Sequence, residues 1–257
     1  MENRITSLFR NKEKNVLSIY FTAGYPELND TRTIITVLEK CGVDLIEIGM
    51  PFSDPVADGP VIQQSSEAAL NNGMTINLLF SQLKEIRKDV SIPLILMGYF
   101  NPVMQYGIEN FCRKCSETGI DGTIIPDLPL EIFEAEYKEI FEENSLSNIF
   151  LITPQSSEER IRKIDSLSTG FIYMVSASST TGVKLMLNEE QISYFDMISH
   201  MNLQSKRLIG FGISDKDSFV KACGFANGAI IGSAFVRALA GDSTIESKIY
   251  AFLENFL

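Results

Sequence analysis

Leu45–Pro60 reads LIEIGMPFSDPVADGP, and its two halves behave differently. Leu45, Ile46, Ile48 and Gly49 are apolar or small, as in a strand covered on both faces within a parallel sheet. Pro51, Pro55, Gly59 and Pro60 then break the strand into a stiff loop. Glu47 stands inside the apolar run, and Asp54 and Asp58 stand in the loop. A buried carboxylate is costly unless it is paired, and no Lys or Arg lies near Glu47 in the chain. Either a cation comes from elsewhere, or Glu47 marks a functional site. Asp54, inside Ser-Asp-Pro, reads as turn chemistry.

Working outward, the same alternation of apolar strand and amphipathic segment repeats along the chain. Strands are expected at Leu17–Thr22, Asp44–Gly49, Pro93–Met97, Gly122–Pro126, Asn148–Ile152, Gly170–Val175, Arg207–Phe211 and Gly228–Gly232. Helical patterns follow each: Asp30–Lys40 with Asp30 as its cap, Val61–Asn71 with Ile76–Lys88, Gly107–Glu117, Leu130–Glu143, Ser157–Leu167, Glu189–Met201, Asp215–Cys223, and the C-terminal segment. Residues 2–12 form an additional amphipathic helix suited to plug one end of a barrel. Eight strand–helix units in 257 residues predict a single (β/α)8 barrel of α/β class, which typically needs about 250 residues. A doubly wound sheet is disfavoured: it would show fewer strands and a Gly-rich turn after the first, and Gly24-Tyr25-Pro26 is not that turn. No Pro-rich or low-complexity linker divides the chain, so one domain over 1–257 is expected.

The composition supports a large core, with 45% hydrophobic and 21% charged residues. The net charge of −11 argues against a nucleic-acid partner, because phosphate contacts need clustered Lys and Arg. The opening MENRITSLFRNKEK has no apolar targeting core, and no later run approaches membrane-spanning length, which predicts a soluble, cytoplasmic protein. Cys112 and Cys115 form a C-x-x-C, but with Ile108 and Phe111 they follow helical spacing on one apolar face. No second cysteine pair and no nearby His completes a zinc set, so both thiols are read as core.

In such a barrel the chemistry sits at the C-terminal ends of the strands. Glu47 lies near that end of strand two and shares its parity with Leu45 and Gly49. If Ile46 and Ile48 face the helices, Glu47 points into the barrel mouth. Gly210-Phe211-Gly212 ends strand seven, Gly232-Ser233-Ala234 ends strand eight and opens a helix, and Thr181-Gly182 lies after strand six. Glycines admit an anion close to backbone N–H groups, so these three segments are a candidate phosphate cradle. Tyr20, Tyr99, Tyr173 and Phe211 fall near strand ends, where they either wall a ligand pocket or belong to the core. His200 is the sole histidine and sits in the last turn of a polar helix, which disfavours Ser–His–Asp or Cys–His chemistry. Lys184 is a weaker candidate for a Schiff-base lysine, and Asp127 reads as a cap for the helix after it.

Over its whole length the chain resembles the alpha subunit family of tryptophan synthase. The resemblance is carried by Glu47, Gly49, Pro51, Phe52, Ser53, Asp54, Pro55, Asp58 and Gly59, with support from Phe21–Pro26, Tyr99–Pro102, Pro126–Pro129, Gly210–Ile213 and Gly232–Ala234. It implies retro-aldol cleavage of indole-3-glycerol phosphate to indole and glyceraldehyde 3-phosphate. By the same resemblance Glu47 is the acid–base residue, and Asp58 binds the indole N–H. Phosphate binding is expected at Gly182, Gly212, Gly232 and Ser233. Tyr20, Tyr99, Tyr173, Thr181 and Phe211 are expected to line the indole and glycerol pocket. No metal or organic cofactor is expected on this chain. The implied partner is a beta subunit carrying pyridoxal phosphate, in an alpha2beta2 heterotetramer, with Asp54, Pro51 and Asn101 at the interface. One stretch departs from the family: Ser179 and Thr180 replace an expected Gly and Val before Thr181-Gly182, and Ala177 stands where Arg is frequent. The motifs do not separate this subunit from a stand-alone lyase releasing free indole; an aldolase using Lys184 and a non-catalytic phosphate-sugar binder fit them less fully.

Overall fold

A computed structural model describes residues 2–175, 189–210 and 212–256. Eight parallel strands close into a barrel in chain order, each paired with the next and the last with the first. They are β1 (Val16–Thr22), β2 (Leu45–Gly49), β3 (Leu94–Met97), β4 (Gly122–Ile124), β5 (Ser147–Ile152), β6 (Phe171–Val175), β7 (Lys206–Gly210) and β8 (Gly228–Ile231). Consecutive residues on a strand point to opposite faces, so one strand feeds two separate cores. The inner core holds Val16, Leu45, Ile95, Ile124, Ile149, Phe171, Leu208 and Ile230. The outer core, between strands and helices, takes Ile46 and Ile48 along with Ile19, Phe21 and the helix faces. The parity expected for β2 is therefore the one observed, with Glu47 on the inward side of its strand.

The helix Arg4–Asn11 closes the N-terminal end of the barrel. Asn3 starts it with a reciprocal cap, accepting from the Ile5 and Thr6 N–H groups while its own N–H donates to Thr6 Oγ1. Ile5 and Phe9 enter the inner core as its floor. Asn3 Nδ2 donates to the Asp121 carbonyl (3.1 Å) and to Ser147 Oγ (2.9 Å). Buried Asp121 takes Arg4 on one oxygen (3.0 Å) and Arg87 on the other (2.6 Å), and also accepts from the Leu94 N–H (2.9 Å). A buried carboxylate with three donors is the compensated case that Glu47 is not.

Several local expectations change. Asp30 is the first residue of helix Asp30–Lys40 instead of its cap; its carboxylate accepts from the Glu27 N–H. The expected helix Ile76–Lys88 divides into Ile76–Leu83 and a tighter turn, Ile86–Lys88. An unforeseen helix, Phe100–Tyr106, precedes Ile108–Thr118, and Gly107 separates the two with a φ of 87°. Asp127 caps that unforeseen helix by accepting from the Phe100 N–H (2.8 Å), instead of the helix that follows it in sequence. The C-terminal segment forms two helices, Ser233–Ala238 and Ile245–Leu253. Cys112 and Cys115 are buried in the outer core, and among the described residues no group of His, Cys, Asp and Glu could hold a metal. No helix among the described residues is long and apolar enough to cross a membrane.

Candidate active site

Glu47 is fully buried. Its Oε1 accepts from the Ser18 hydroxyl (2.9 Å), and Oε2 has no hydrogen-bond partner among the described residues. No cation among the described residues offsets the charge. Burial therefore pushes the carboxyl up from 4.5 to about 8, with the Ser18 bond opposing part of that rise. At neutral pH the group is largely a neutral acid, able to donate a proton and, once ionised, to take one back.

Asp58 approaches from the loop after β2. Its Oδ2 accepts from the Tyr99 hydroxyl (2.9 Å), and that same hydroxyl accepts from the Ala57 N–H (3.1 Å). Tyr99 follows β3, so one side chain ties the β2 loop to the neighbouring strand end. Phe52 packs on the Tyr99 ring at a centroid distance of 5.1 Å. Burial raises the Asp58 carboxyl, and the Tyr99 donor works against it. Tyr20, Met50, Phe52, Asp58, Met97 and Tyr99 contribute to the walls of a mostly apolar cavity of about 50 Å³. A drug-sized ligand typically needs roughly 300 Å³ or more, so the cavity as it stands is smaller than such a ligand. Glu47 does not line this cavity; Tyr20, which pairs with it in register, does.

Two glycines make room for two tyrosines. A Cβ on Gly49 would fall 2.2 Å from the Tyr20 hydroxyl, and one on Gly210 would fall 2.0 Å from the Tyr173 hydroxyl. Both phenols lie in the barrel interior, where burial raises them well above their ordinary values and the charges of Glu47 and Asp58 add to the effect. Tyr20 and Tyr99 line the cavity, and Tyr20 and Tyr173 each lie near enough to both carboxylates to feel their charge. Gly232 lies over Tyr20, its Cβ direction 3.7 Å from that side chain, and no side chain caps the helix Ser233–Ala238 that it begins. Gly212 follows β7 with a φ of 76°. Thr181, Gly182, Lys184 and Phe211 lie outside the described residues. His200 is exposed on its helix, its Nδ1 against the Asp196 carbonyl (2.8 Å), far in role from any constellation here.

Asp54 is exposed, with its carboxylate held by Ser53 Oγ. Pro51 is half-buried, and Asn101 is exposed on the helix Phe100–Tyr106, accepting from Gln105. Around the same rim stand Val56, which is 83% exposed, Met104 and Ile132. Ser18 was not anticipated. The only signal for it was a hydroxyl at an inward position of the Val16, Ser18, Tyr20 alternation.

The family model described as tryptophan synthase alpha chain matches residues 7–256. The tryptophan synthase alpha chain of Flavobacterium psychrophilum is 61% identical over 237 residues, covering 92% of this chain and 93% of its own. That of Flavobacterium johnsoniae is 60% identical over 251 residues, 98% of each. Among solved structures, the tryptophan synthase alpha chain of Legionella pneumophila superposes with a TM-score of 0.87 at 30% identity, covering 99% of this chain and 96% of that one. A chain of the Mycobacterium tuberculosis tryptophan synthase, in its aminoacrylate-bound form, superposes at 0.86 with 27% identity over 99% and 98%. A barrel with one of these carboxylates buried inside it and the other on the loop that follows the same strand, matched along its whole length by these relatives, belongs to the tryptophan synthase alpha chain family.

Proposed function

We infer that this chain cleaves indole-3-glycerol phosphate by a retro-aldol reaction, giving indole and glyceraldehyde 3-phosphate. The observation that carries this reading is Glu47: an acid with no cation beside it among the described residues, buried in the barrel and raised to about 8, with Tyr20 and Tyr173 feeling both its charge and that of Asp58. The substrate's scissile carbon is bonded to C3 of the indole ring. Carbon cannot leave while the ring is aromatic, so C3 must first be protonated. Neutral Glu47 gives that proton, and Asp58 stabilises the positive charge that develops at the ring nitrogen. The Glu47 carboxylate then takes the proton of the adjacent glycerol hydroxyl. The C–C bond breaks, its electron pair restores the aromatic ring, and the hydroxyl carbon becomes the aldehyde. One proton has moved from oxygen to carbon through a single carboxyl.

The phosphate is assigned to the rim at Gly212, Gly232 and Ser233, together with Gly182. The start of Ser233–Ala238 supports this, since Gly232 at its cap has no side chain to accept from the first N–H groups. No step calls for a cofactor on this chain. The partner is a pyridoxal-phosphate beta subunit in an alpha2beta2 assembly, docking on Pro51, Asp54 and Asn101. Val56, exposed in the loop after β2, and Met104 and Ile132, exposed on the helical segments after β3 and β4, support a docking face there and favour a subunit over a stand-alone lyase.

The test is indole release from indole-3-glycerol phosphate, with and without a beta subunit. Glu47→Gln should lower turnover by about 10²–10⁴ while substrate still binds, and the beta subunit should raise the parental rate. Parental turnover in Glu47→Gln would reject the assignment.

A further inference from the structure

Ser18 is fully buried in β1 and faces the barrel interior, where the neighbouring inward positions are Val16, Leu45, Ile95 and Ile230. A hydroxyl in such a layer contributes nothing to apolar packing and needs a partner. Its partner is Glu47 Oε1, at 2.9 Å. Among the described residues Glu47 in turn makes only this bond, and Oε2 makes none. In the strand register Ser18 pairs with Leu45, whereas Tyr20 pairs with Glu47. The Glu47 side chain is thus tethered from the closed side of the barrel, by a group that lines no part of the cavity at the mouth.

We propose that Ser18 is a positioning residue for the acid–base step, holding Oε1 of Glu47 so that Oε2 alone exchanges the proton with substrate. This rests on the reading of Glu47 as the acid–base group. In the neutral acid, an Oε1 that accepts from Ser18 is the carbonyl oxygen, and the acidic hydrogen sits on Oε2. After that hydrogen passes to the ring carbon, the Ser18 hydroxyl stabilises the negative charge left on the carboxylate. Oε2 then receives the hydroxyl proton without rotation of the side chain.

The experiment compares Ser18→Ala, which deletes one oxygen, with Ser18→Thr, which keeps the hydroxyl, and includes Glu47→Gln as a reference. Turnover and KM for indole-3-glycerol phosphate are measured with stability in urea. The Glu47 carboxyl is titrated by carbon-13 NMR of glutamate-labelled protein and assigned by its loss in Glu47→Gln. Tyr20 and Tyr173, the titratable groups that feel the Glu47 charge, and Asp58, which acts on the same two phenols, are unaltered in every variant. In Ser18→Ala kcat should fall at least about tenfold, the loss of a hydrogen bond to a charged group. KM should stay within about twofold, as for an interaction that matters mainly in the transition state. The Glu47 titration should move to higher pH, and Ser18→Thr should recover both readouts. An unmoved titration with parental kcat in Ser18→Ala overturns the proposal. So does an equal loss in Ala and Thr with the titration in place, which would mean packing alone. Parental turnover in Glu47→Gln would instead bring down the reading of Glu47 itself, even with the titration shifted in Ser18→Ala.

Discussion

Glu47→Gln should change how stability depends on pH as well as abolishing turnover. Burial raises the Glu47 carboxyl from 4.5 to about 8, so the folded chain holds a proton that the unfolded chain has released. Stability from this group is complete below about pH 4.5 and is lost as pH rises towards 8. Each unit of that interval is worth about 1.4 kcal/mol. Integrating the two titrations between pH 5 and pH 8 gives a loss of roughly 3.5 kcal/mol from this one group. The amide that Glu47→Gln introduces does not titrate, so the mutant lacks that loss. It also carries a buried N–H₂ where Oε2 had no partner, which costs about 1–3 kcal/mol at every pH. The mutant should therefore be somewhat less stable than the parent at pH 5 and more stable at pH 8. The assay is urea unfolding at pH 5, 6, 7 and 8, read as the difference between the two proteins, so that the remaining carboxylates largely cancel. Parallel stability curves across that range would refute the burial argument.

Three further outcomes follow from the geometry. Gly210→Ala should cost about 1–3 kcal/mol, because its Cβ would lie 2.0 Å from the Tyr173 hydroxyl and 2.2 Å from the ring carbon that bears it; adding Tyr173→Phe leaves that ring carbon in place and should recover little in thermal unfolding, and full recovery would put the strain on the hydroxyl alone. Tyr99→Phe removes the donor that Asp58 holds and the acceptor that the Ala57 N–H uses; indole release should fall by about tenfold, near the typical value of one such bond, and an unaltered rate would mean that the β2 loop keeps its place without Tyr99. Gly212→Val forces a branched side chain to a φ of 76°; KM for the phosphorylated substrate should rise more than the stability loss explains, and equal binding of glycerol phosphate by parent and variant would move the phosphate site.

The barrel was legible because its signal is repeated. Eight apolar strands each carry enough β-branched and aromatic residues to stand apart from the helical periods between them. Glu47 was legible for the opposite reason, as a lone carboxylate in a run that otherwise excludes charge. What escaped was contact between distant positions. Tyr99 and Asp58 are 41 residues apart, and nothing local to either announces the bond. Ser18 is an ordinary strand residue until β2 is laid beside it. Asp127 was assigned to the nearer helix because capping rules are local, while barrel closure brings Phe100 to it. The helix Phe100–Tyr106 is only 7 residues long, too short to show an apolar period of its own, and its Pro102 is at home in a first helical turn.

The floor of the barrel also sets an order on its own assembly. The first helix docks on groups 118 and 144 residues further along the chain, at Asp121 and Ser147. During synthesis this helix emerges long before its seat exists, and β1 waits still longer for β8, its second neighbour. Until then Ile5 and Phe9 remain uncovered. Loop-closure entropy for such distant pairs is spent before the contacts return it, which slows folding. A nascent chain with an exposed apolar helix and an open strand edge is also prone to associate with its neighbours. Production of this protein should therefore depend on the rate of translation relative to barrel closure, and C-terminal truncations that remove β8 should aggregate instead of surviving as smaller folded units.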